Sequence, residues 1–361
     1  MEQRALGPGD LRVSVVTFGA MGFGEPGPDE DARRAAILRA ALEAGVTAID
    51  TAPLYGFGRS ERVIGKVIAE LRPRPKVLTK VGLRWDCPSQ HGEPLFQTVG
   101  EQGQPLVVRR DSRPESVLLE IERSLERLGV ERLDLVQVHQ RDRRVPIRET
   151  FGALRDAVRA GAVAHVGVSN FTGREVEEAR AALGDVPLAS LQSPLSLLAR
   201  EVERDGLVAA RRVGAGFLAY SPLAQGLLAG TYGPHREVQD WRAGSPLFAP
   251  KVRELIQDVI RDVLQPIATR HGATPGQVSL AWVLARPGVS AVIAGASSEA
   301  QARQNAGASA LRLEPREVTD LESAFARVTA AAQRHAKMDG VMRRARSVAG
   351  AVKRRVMPAG S

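Results

Sequence analysis

Four ionisable side chains fall at or beside the ends of short apolar runs. Asp50 lies in Ala48–Thr51, Tyr55 follows just after it, Lys80 closes Val77–Lys80, and His139 closes Leu133–His139. Singly, each has an ordinary explanation: a structural strand-end histidine, a half-buried tyrosine, a plain Asp–Lys ion pair. Together on one rim they would do chemistry. A lysine ending an apolar strand is costly to bury without a partner, and Asp50 on a neighbouring strand supplies one. Lys80 would favour the phenolate of Tyr55 and lower its pKa from ~10. Tyr55 could then give a proton to a developing alkoxide and later recover it, while His139 orients the carbonyl oxygen. Such a set reduces carbonyls or oxidises alcohols. It contains no hydride, so it implies a cofactor.

The convergence depends on the elements between these residues. Eight short apolar runs recur: Val15–Phe18, Ala48–Thr51, Val77–Lys80, Leu133–His139, His165–Ser169, Ala189–Gln192, Phe217–Tyr220 and Ala291–Ile293. None alternates cleanly, which suits strands buried on both faces. Longer stretches with helical spacing separate them, among them Asp31–Ala44, Pro114–Leu128 and Pro146–Ala160. Gly45, Gly129, Gly161 and Gly214 stand where helices end, and Ser60, Ser112, Thr172 and Thr274 where N-caps belong. Eight strand–helix units predict a closed (β/α)8 TIM barrel, with a doubly wound open sheet as the alternative. Parallel strands carry Asp50, Lys80 and His139 to one rim. Arg4–Leu6 and Leu11–Val13, around Gly7-Pro8-Gly9-Asp10, predict an N-terminal hairpin. Two long rim loops are expected, Arg84–Arg110 after strand three and Ser221–Pro250 after strand seven, both suited to form substrate-pocket walls. Trp85 is a candidate wall aromatic, and Cys87 with His91 lacks the orienting group of a nucleophile–base pair.

Composition narrows the function classes. The 361 residues are 43% hydrophobic and 25% charged, an ordinary globular balance. One cysteine excludes a disulfide framework or a four-cysteine zinc site, and no metal site is expected. No apolar run approaches the ~20 residues of a membrane span, and Met1–Asp10 does not read as a secretory signal, so a cytoplasmic location is expected. The net charge of +9 is concentrated in the tail. From Ala336 onward seven cations face Asp339, a net of +6, which leaves +3 for residues 1–335. The aromatic content of 4% offers no series of stacking platforms, and no nucleic-acid partner is expected. The division is therefore residues 1–335 as one barrel domain and 336–361 as a basic C-terminal extension. In the tail, Met338, Val341, Met342, Ala345, Val348, Ala349, Val352 and Val356 form a helical stripe that could meet an anionic membrane or acidic partner. Its small apolar face favours a frayed soluble extension instead.

The motifs around these residues resemble the aldo-keto reductase family. Asp50-Thr51-Ala52-Pro53-Leu54-Tyr55-Gly56 is similar to that family's signature. Leu78–Gly82, Leu133–His139, Gly167–Phe171, Tyr220–Leu228 and Ile293–Ser298 running to Asn305 follow its order. The likeness covers about residues 10–330 and is greatest to the bacterial branch acting on sugars, small aldehydes and keto compounds. It implies NAD(P)H-dependent reduction of a small carbonyl substrate by Asp50, Tyr55, Lys80 and His139, with Tyr55 as proton donor. It also implies an extended nicotinamide cofactor bound without a Rossmann domain. The spacing Gly19-Ala20-Met21-Gly22-Phe23-Gly24 is indeed not GxGxxG. By position, Ser169, Asn170 and Gln192 hold the carboxamide and Tyr220 stacks on the ring. Backbone around Ser221, Leu223 and Gly226 lines the pyrophosphate. Gly295 and Ser297 approach the adenosine phosphate, and Gln301 and Asn305 face the adenosine. NADPH is the expected cofactor. Yet Gly295–Gln301 contains no Arg or Lys, where NADPH-preferring relatives commonly have one, so NADH stays open. Leu195 stands where relatives often have Tyr, which bears on packing. A cofactor-sensing regulatory or scaffold protein, like channel β-subunits on this fold, is the alternative function. A monomer is expected.

Overall fold

The structure is a computed structural model describing residues 1–24, 27, 29–88, 90–233, 235–239 and 241–356, with side chains as far as Ala336 except at position 241. The chain gathers into two compact units. One is Met1–Leu223 with Gly276–Leu313; the other is Ala224–Pro275 with the segment from Glu314.

The first unit opens with the hairpin β1 (Gln3–Ala5) and β2 (Arg12–Ser14). Then come β3 (Val16–Gly19), β4 (Ala48–Asp50), β5 (Lys76–Val81), β6 (Leu83–Arg84), β7 (Glu93–Val99), β8 (Pro105–Arg110), β9 (Leu133–Val138), β10 (Val163–Ser169), β11 (Leu188–Pro194), β12 (Gly216–Tyr220) and β13 (Val289–Ala294). Eight of these close a parallel barrel in the order β3-β4-β5-β9-β10-β11-β12-β13. Every one of the eight apolar runs is a barrel strand, and closure disposes of the open-sheet alternative.

The helices are α1 (Glu30–Glu43), α2 (Arg59–Ala69), α3 (Pro114–Leu128), α4 (Ile147–Arg159), α5 (Gly173–Leu183), α6 (Gly206–Arg212), α7 (Pro250–Val259), α8 (Gln265–Arg270), α9 (Pro275–Leu284), α10 (Glu299–Gly307) and α11 (Pro315–Val356). Thr172 caps α5 in a reciprocal box with Glu175, a device worth about 1 kcal/mol. Gly129 ends α3 in the left-handed region at φ 63°. Ser60 and Ser112 are not caps. Ser60 lies inside α2, where its hydroxyl donates to the Ala20 carbonyl, and Ser112 is buried one residue before the N-cap Arg113.

The hairpin lies one residue from its expected bounds. Leu6, Leu11 and Val13 pack with Ala48, Leu78, Leu135, Leu218 and Ala291, so the turn plugs the barrel's N-terminal end. Gly7, at φ 75°, passes so close to Ala189 that a Cβ would lie 2.3 Å from its carbonyl oxygen. The Arg84–Arg110 segment is a three-stranded antiparallel sheet in the order β6-β8-β7 rather than plain loop. In the second unit, short 3-10 turns between Ala224 and Phe248 lead into α7 and α8. The backbone of α11 runs from Pro315 to Val356, while the tail's apolar stripe lies outside the described side chains. Among the described residues no helix is long and apolar enough to cross a membrane, and no three His, Cys, Asp or Glu side chains are gathered as for a metal.

Candidate active site

Strand alternation sends Asp50 and Lys80 inward at the C-terminal rim and their strand neighbours outward. The residue before Lys80 locks the strand from outside: Thr79 Oγ1 donates to Glu61 Oε1 of α2 at 2.6 Å, and Arg127 Nε of α3 donates to Glu61 Oε2 at 2.6 Å. Inside, Lys80 Nζ donates to Asp50 Oδ1 at 2.7 Å, to the Thr51 carbonyl at 2.9 Å and to Tyr55 Oη at 3.3 Å. Three ammonium hydrogens thus meet three acceptors, and Lys80 is 1% exposed. Gln192 Nε2 donates to the second oxygen of Asp50 at 2.7 Å. The His139 ring stands edge-on to Tyr55, with centroids 6.1 Å apart. Its backbone N–H is held by the Val81 carbonyl at 2.9 Å. The four candidate catalytic residues are therefore brought together.

Their electrostatics differ from the sequence expectation at one point. Burial raises the Tyr55 phenol above its ordinary value; the Lys80 ammonium pulls it down, as expected, but only partly offsets burial, and Asp50 adds to the rise. The phenol therefore stays protonated at neutral pH. For Lys80, burial disfavours the ammonium, yet Asp50 and Tyr55 more than compensate and its pKa is raised. His139 is lowered well below its ordinary value by burial and by the Lys80 charge, so its imidazole is neutral.

A second set of residues adjoins these. Ser169 ends β10, and Asn170, next to it, adopts the left-handed region at φ 61°. Asn170 Nδ2 donates to Ser169 Oγ at 3.1 Å and to the His139 carbonyl at 3.0 Å, while its Oδ1 accepts from Tyr220 Oη at 2.8 Å. Ser221, just past β12, also holds positive φ, 50°. Non-glycine residues in that region mark backbone held against its preference, and both stand at strand ends. Leu223 closes the first unit. Gly226 belongs to the second, where its left-handed backbone sits against the Tyr232 ring. After β13, Gln301 Oε1 accepts from both the N–H and the hydroxyl of Ser297 at 2.8 and 2.7 Å, and Asn305 Nδ2 donates to the Gly295 carbonyl at 3.0 Å. These two side chains, expected to face an adenosine, are bonded to the Gly295–Ser298 loop. Gln192, expected to hold the carboxamide, adjoins this set through its bond to Asp50.

The donor set suits a nicotinamide dinucleotide. A carboxamide needs both donors and acceptors, which Ser169 and Asn170 offer at the rim, and Tyr220 presents a half-buried ring beside them. The Gly295–Ser298 loop leads into α10, whose N-cap Ser298 accepts from Gln301 N–H.

Two features escaped the sequence. The buried Glu61 and Glu120 carry no local signal, because their partners come from other elements. Phe57, at φ 52°, lies against Trp85 with ring centroids 5.4 Å apart. The run Gly56-Phe57-Gly58 beside Tyr55 was the available hint.

The chain is similar to known proteins over most of its length. The family model described as the aldo/keto reductase family matches residues 15–326. The aldo-keto reductase str7 of Strobilurus tenacellus is 32% identical over 348 residues, covering 92% of this chain and 95% of that protein. The aldo-keto reductase YhdN of Bacillus subtilis is 32% identical over 309 residues, covering 83% and 86%. The solved glycerol dehydrogenase of Gluconobacter oxydans superposes with a TM-score of 0.78 at 30% identity, covering 90% of this chain and 95% of that one.

Proposed function

The chain belongs to the aldo/keto reductase family, and from that premise we propose that it reduces a small aldehyde or ketone, of simple carbonyl, sugar or keto-sugar type, with NAD(P)H. The observation that carries this reading is Lys80 Nζ bound at once to Asp50 at 2.7 Å and to the Tyr55 hydroxyl at 3.3 Å.

When bound, the nicotinamide supplies the hydride. Ser169 and Asn170 would hold its carboxamide and Tyr220 would pack its ring; Ser221 and Leu223 would offer backbone to its pyrophosphate, and Gly295 and Ser297 to its adenosine end. The remaining work belongs to the chain's own side chains. Neutral His139 orients the carbonyl oxygen. Tyr55, kept protonated by burial, gives its proton to that oxygen as negative charge develops there. The phenolate left behind is stabilised by Lys80, whose ammonium stands ready and needs no reorganisation. Asp50 keeps Lys80 charged and Gln192 keeps Asp50 in place. Carbon–hydrogen bond formation and proton donation balance as the alcohol forms.

The test is a fluorescence titration of the purified chain with NADPH and NADH, followed by turnover on a carbonyl panel. Tyr55→Phe is expected to lower kcat about 10²–10⁴-fold while cofactor still binds. Full turnover in that variant removes Tyr55 from the donor role. A folded wild-type chain that binds neither nucleotide ends the reductase reading.

A further inference from the structure

The three acceptors of Lys80 all come from the short stretch between Asp50 and Tyr55, while the lysine itself comes from β5. The sheet does not join the two at that level. The β4–β5 ladder pairs Ala48 with Lys76, Ile49 with Val77 and Asp50 with Leu78, and the Thr51 N–H adds a bond to the Leu78 carbonyl at 2.8 Å. Lys80 lies two residues beyond the last of those pairs. On its other side it is paired with Gln137 of β9, which holds β5 but not the turn that carries Tyr55.

The gap is closed from outside the barrel wall. Ser60 and Glu61 are consecutive residues in the first turn of α2, and both are 0% exposed. Ser60 holds the acceptor side. Its N–H donates to the Tyr55 carbonyl at 3.2 Å, its hydroxyl donates to the Ala20 carbonyl at 3.1 Å, and Thr51 Oγ1 lies 2.9 Å from Ser60 Oγ. Glu61 holds the lysine side. Side chains alternate along a strand, so with Lys80 inside, Thr79 points out toward α2. There its hydroxyl donates to Glu61 Oε1 at 2.6 Å, and Arg127 Nε of α3 fixes the other oxygen at 2.6 Å. One turn of helix therefore brackets the residues around Tyr55 and the residue next to Lys80. The contact between those two is the longest that the ammonium makes, 3.3 Å against 2.7 and 2.9 Å, so it is the first to be lost when β5 shifts.

Resting on the reductase reading above, we propose that Glu61, acting through the Thr79 hydroxyl, is a positioning residue for that reaction, holding the Lys80 ammonium at bonding distance from the Tyr55 phenol. Its side chain lies outside the barrel wall and works only through β5. Without the Thr79 hydroxyl, Glu61 Oε1 is left buried without its donor, and α2 and β5 lose the bond that couples them. Substrate and cofactor still bind, but the phenolate that forms during proton donation is farther from its cation.

The experiment compares the full chain with Thr79→Val, which keeps the side chain's shape, Thr79→Ser, which keeps its hydroxyl, and Glu61→Leu, which removes both acceptors. Active protein is counted by NADPH titration, and kcat and KM are measured on the best carbonyl of a panel across pH. The expected result is a roughly 10-fold or greater fall in kcat for Thr79→Val and Glu61→Leu, with the carbonyl KM and the NADPH Kd moving less than about twofold. Thr79→Ser should return kcat to within about twofold of the wild type. The alkaline fall of kcat should move to higher pH in the two impaired variants, because a phenol with a more distant ammonium holds its proton more tightly. A Thr79→Val protein with a lower melting midpoint but full kcat and an unmoved pH profile has lost only structure, and overturns the proposal whether or not Glu61→Leu folds. A fall in kcat that Thr79→Ser shares also overturns it, since the hydroxyl is then not the cause. A wild-type chain that turns over no carbonyl ends the reductase reading, and this inference with it.

Discussion

Glu120 offers a measurement that isolates one buried group. It lies on α3, 3% exposed, with Oε2 accepting from the Gly82 N–H at 2.6 Å, just past the strand that carries Lys80. Burial pushes its carboxyl up to about 8 from an ordinary 4.5; the Gly82 bond and the Arg84 charge resist, while Asp86 and Asp111 add to the rise. Between those two values the folded chain keeps a proton that the unfolded chain has lost. Stability from this group is therefore complete below about 4.5 and declines as pH rises through about 8. At ~1.4 kcal/mol per pH unit, the whole interval amounts to roughly 5 kcal/mol, and relaxation around the carboxylate reduces it. Glu120→Gln keeps an acceptor for Gly82 and has nothing to ionise. Urea midpoints from pH 5 to 9 should show the two proteins alike at the acid end, with the variant gaining ~2–5 kcal/mol at the alkaline end. A difference that stays constant across that range would show that Glu120 does not titrate on folding, and the reasoning would be wrong.

Two further outcomes are expected. With Tyr55 raised and His139 held neutral, the kcat for carbonyl reduction should stay flat between pH 6 and 9, with no inflection near the ordinary histidine pKa of ~6.5; an inflection there would mean that His139 protonates in the working range. Gly167→Ala should destabilise by ~1–3 kcal/mol, read from the thermal midpoint, because its Cβ would lie 2.2 Å from Ser190 Oγ and 3.0 Å from Gln137 Cγ; an unchanged midpoint would show that those side chains yield freely.

The barrel and its rim were legible because they depend on order rather than on contact. Once eight apolar runs are parallel strands, Asp50, Lys80 and His139 share a rim by topology, with no need to know who touches whom. The β6-β8-β7 sheet was missed for the complementary reason. Its strand β7 is interrupted by polar residues such as Gln97 and Thr98 and is largely exposed, so no apolar run announces it. Ser60 and Ser112 failed as caps because each hydroxyl type fits a cap as well as a buried turn, and tertiary packing decided. Gln301 and Asn305 do share one helix near the loop, and their bonds to Ser297 and Gly295 were not legible because spacing alone does not say which groups a side chain meets.

The charges at the rim invert a simple local reading, and that inversion has a use. Lys80 beside a tyrosine suggests a lowered phenol pKa, yet the burial that brings the two together raises it more than Lys80 lowers it. For a proton donor this order is the useful one. A phenol already ionised at neutral pH would have nothing to give, whereas one kept protonated by burial, with an ammonium fixed 3.3 Å from its oxygen, resists ionisation until a stronger base forms beside it. In the proposed reduction the developing alkoxide would be that base. Asp50 need never accept a proton for this to work. Its two oxygens are taken by Lys80 and Gln192, so its part is to keep the ammonium charged in a place where burial would otherwise neutralise it. The set thus couples buried Asp50 and Lys80 to the half-buried Tyr55, which in the proposed reduction would be the member with a proton to give.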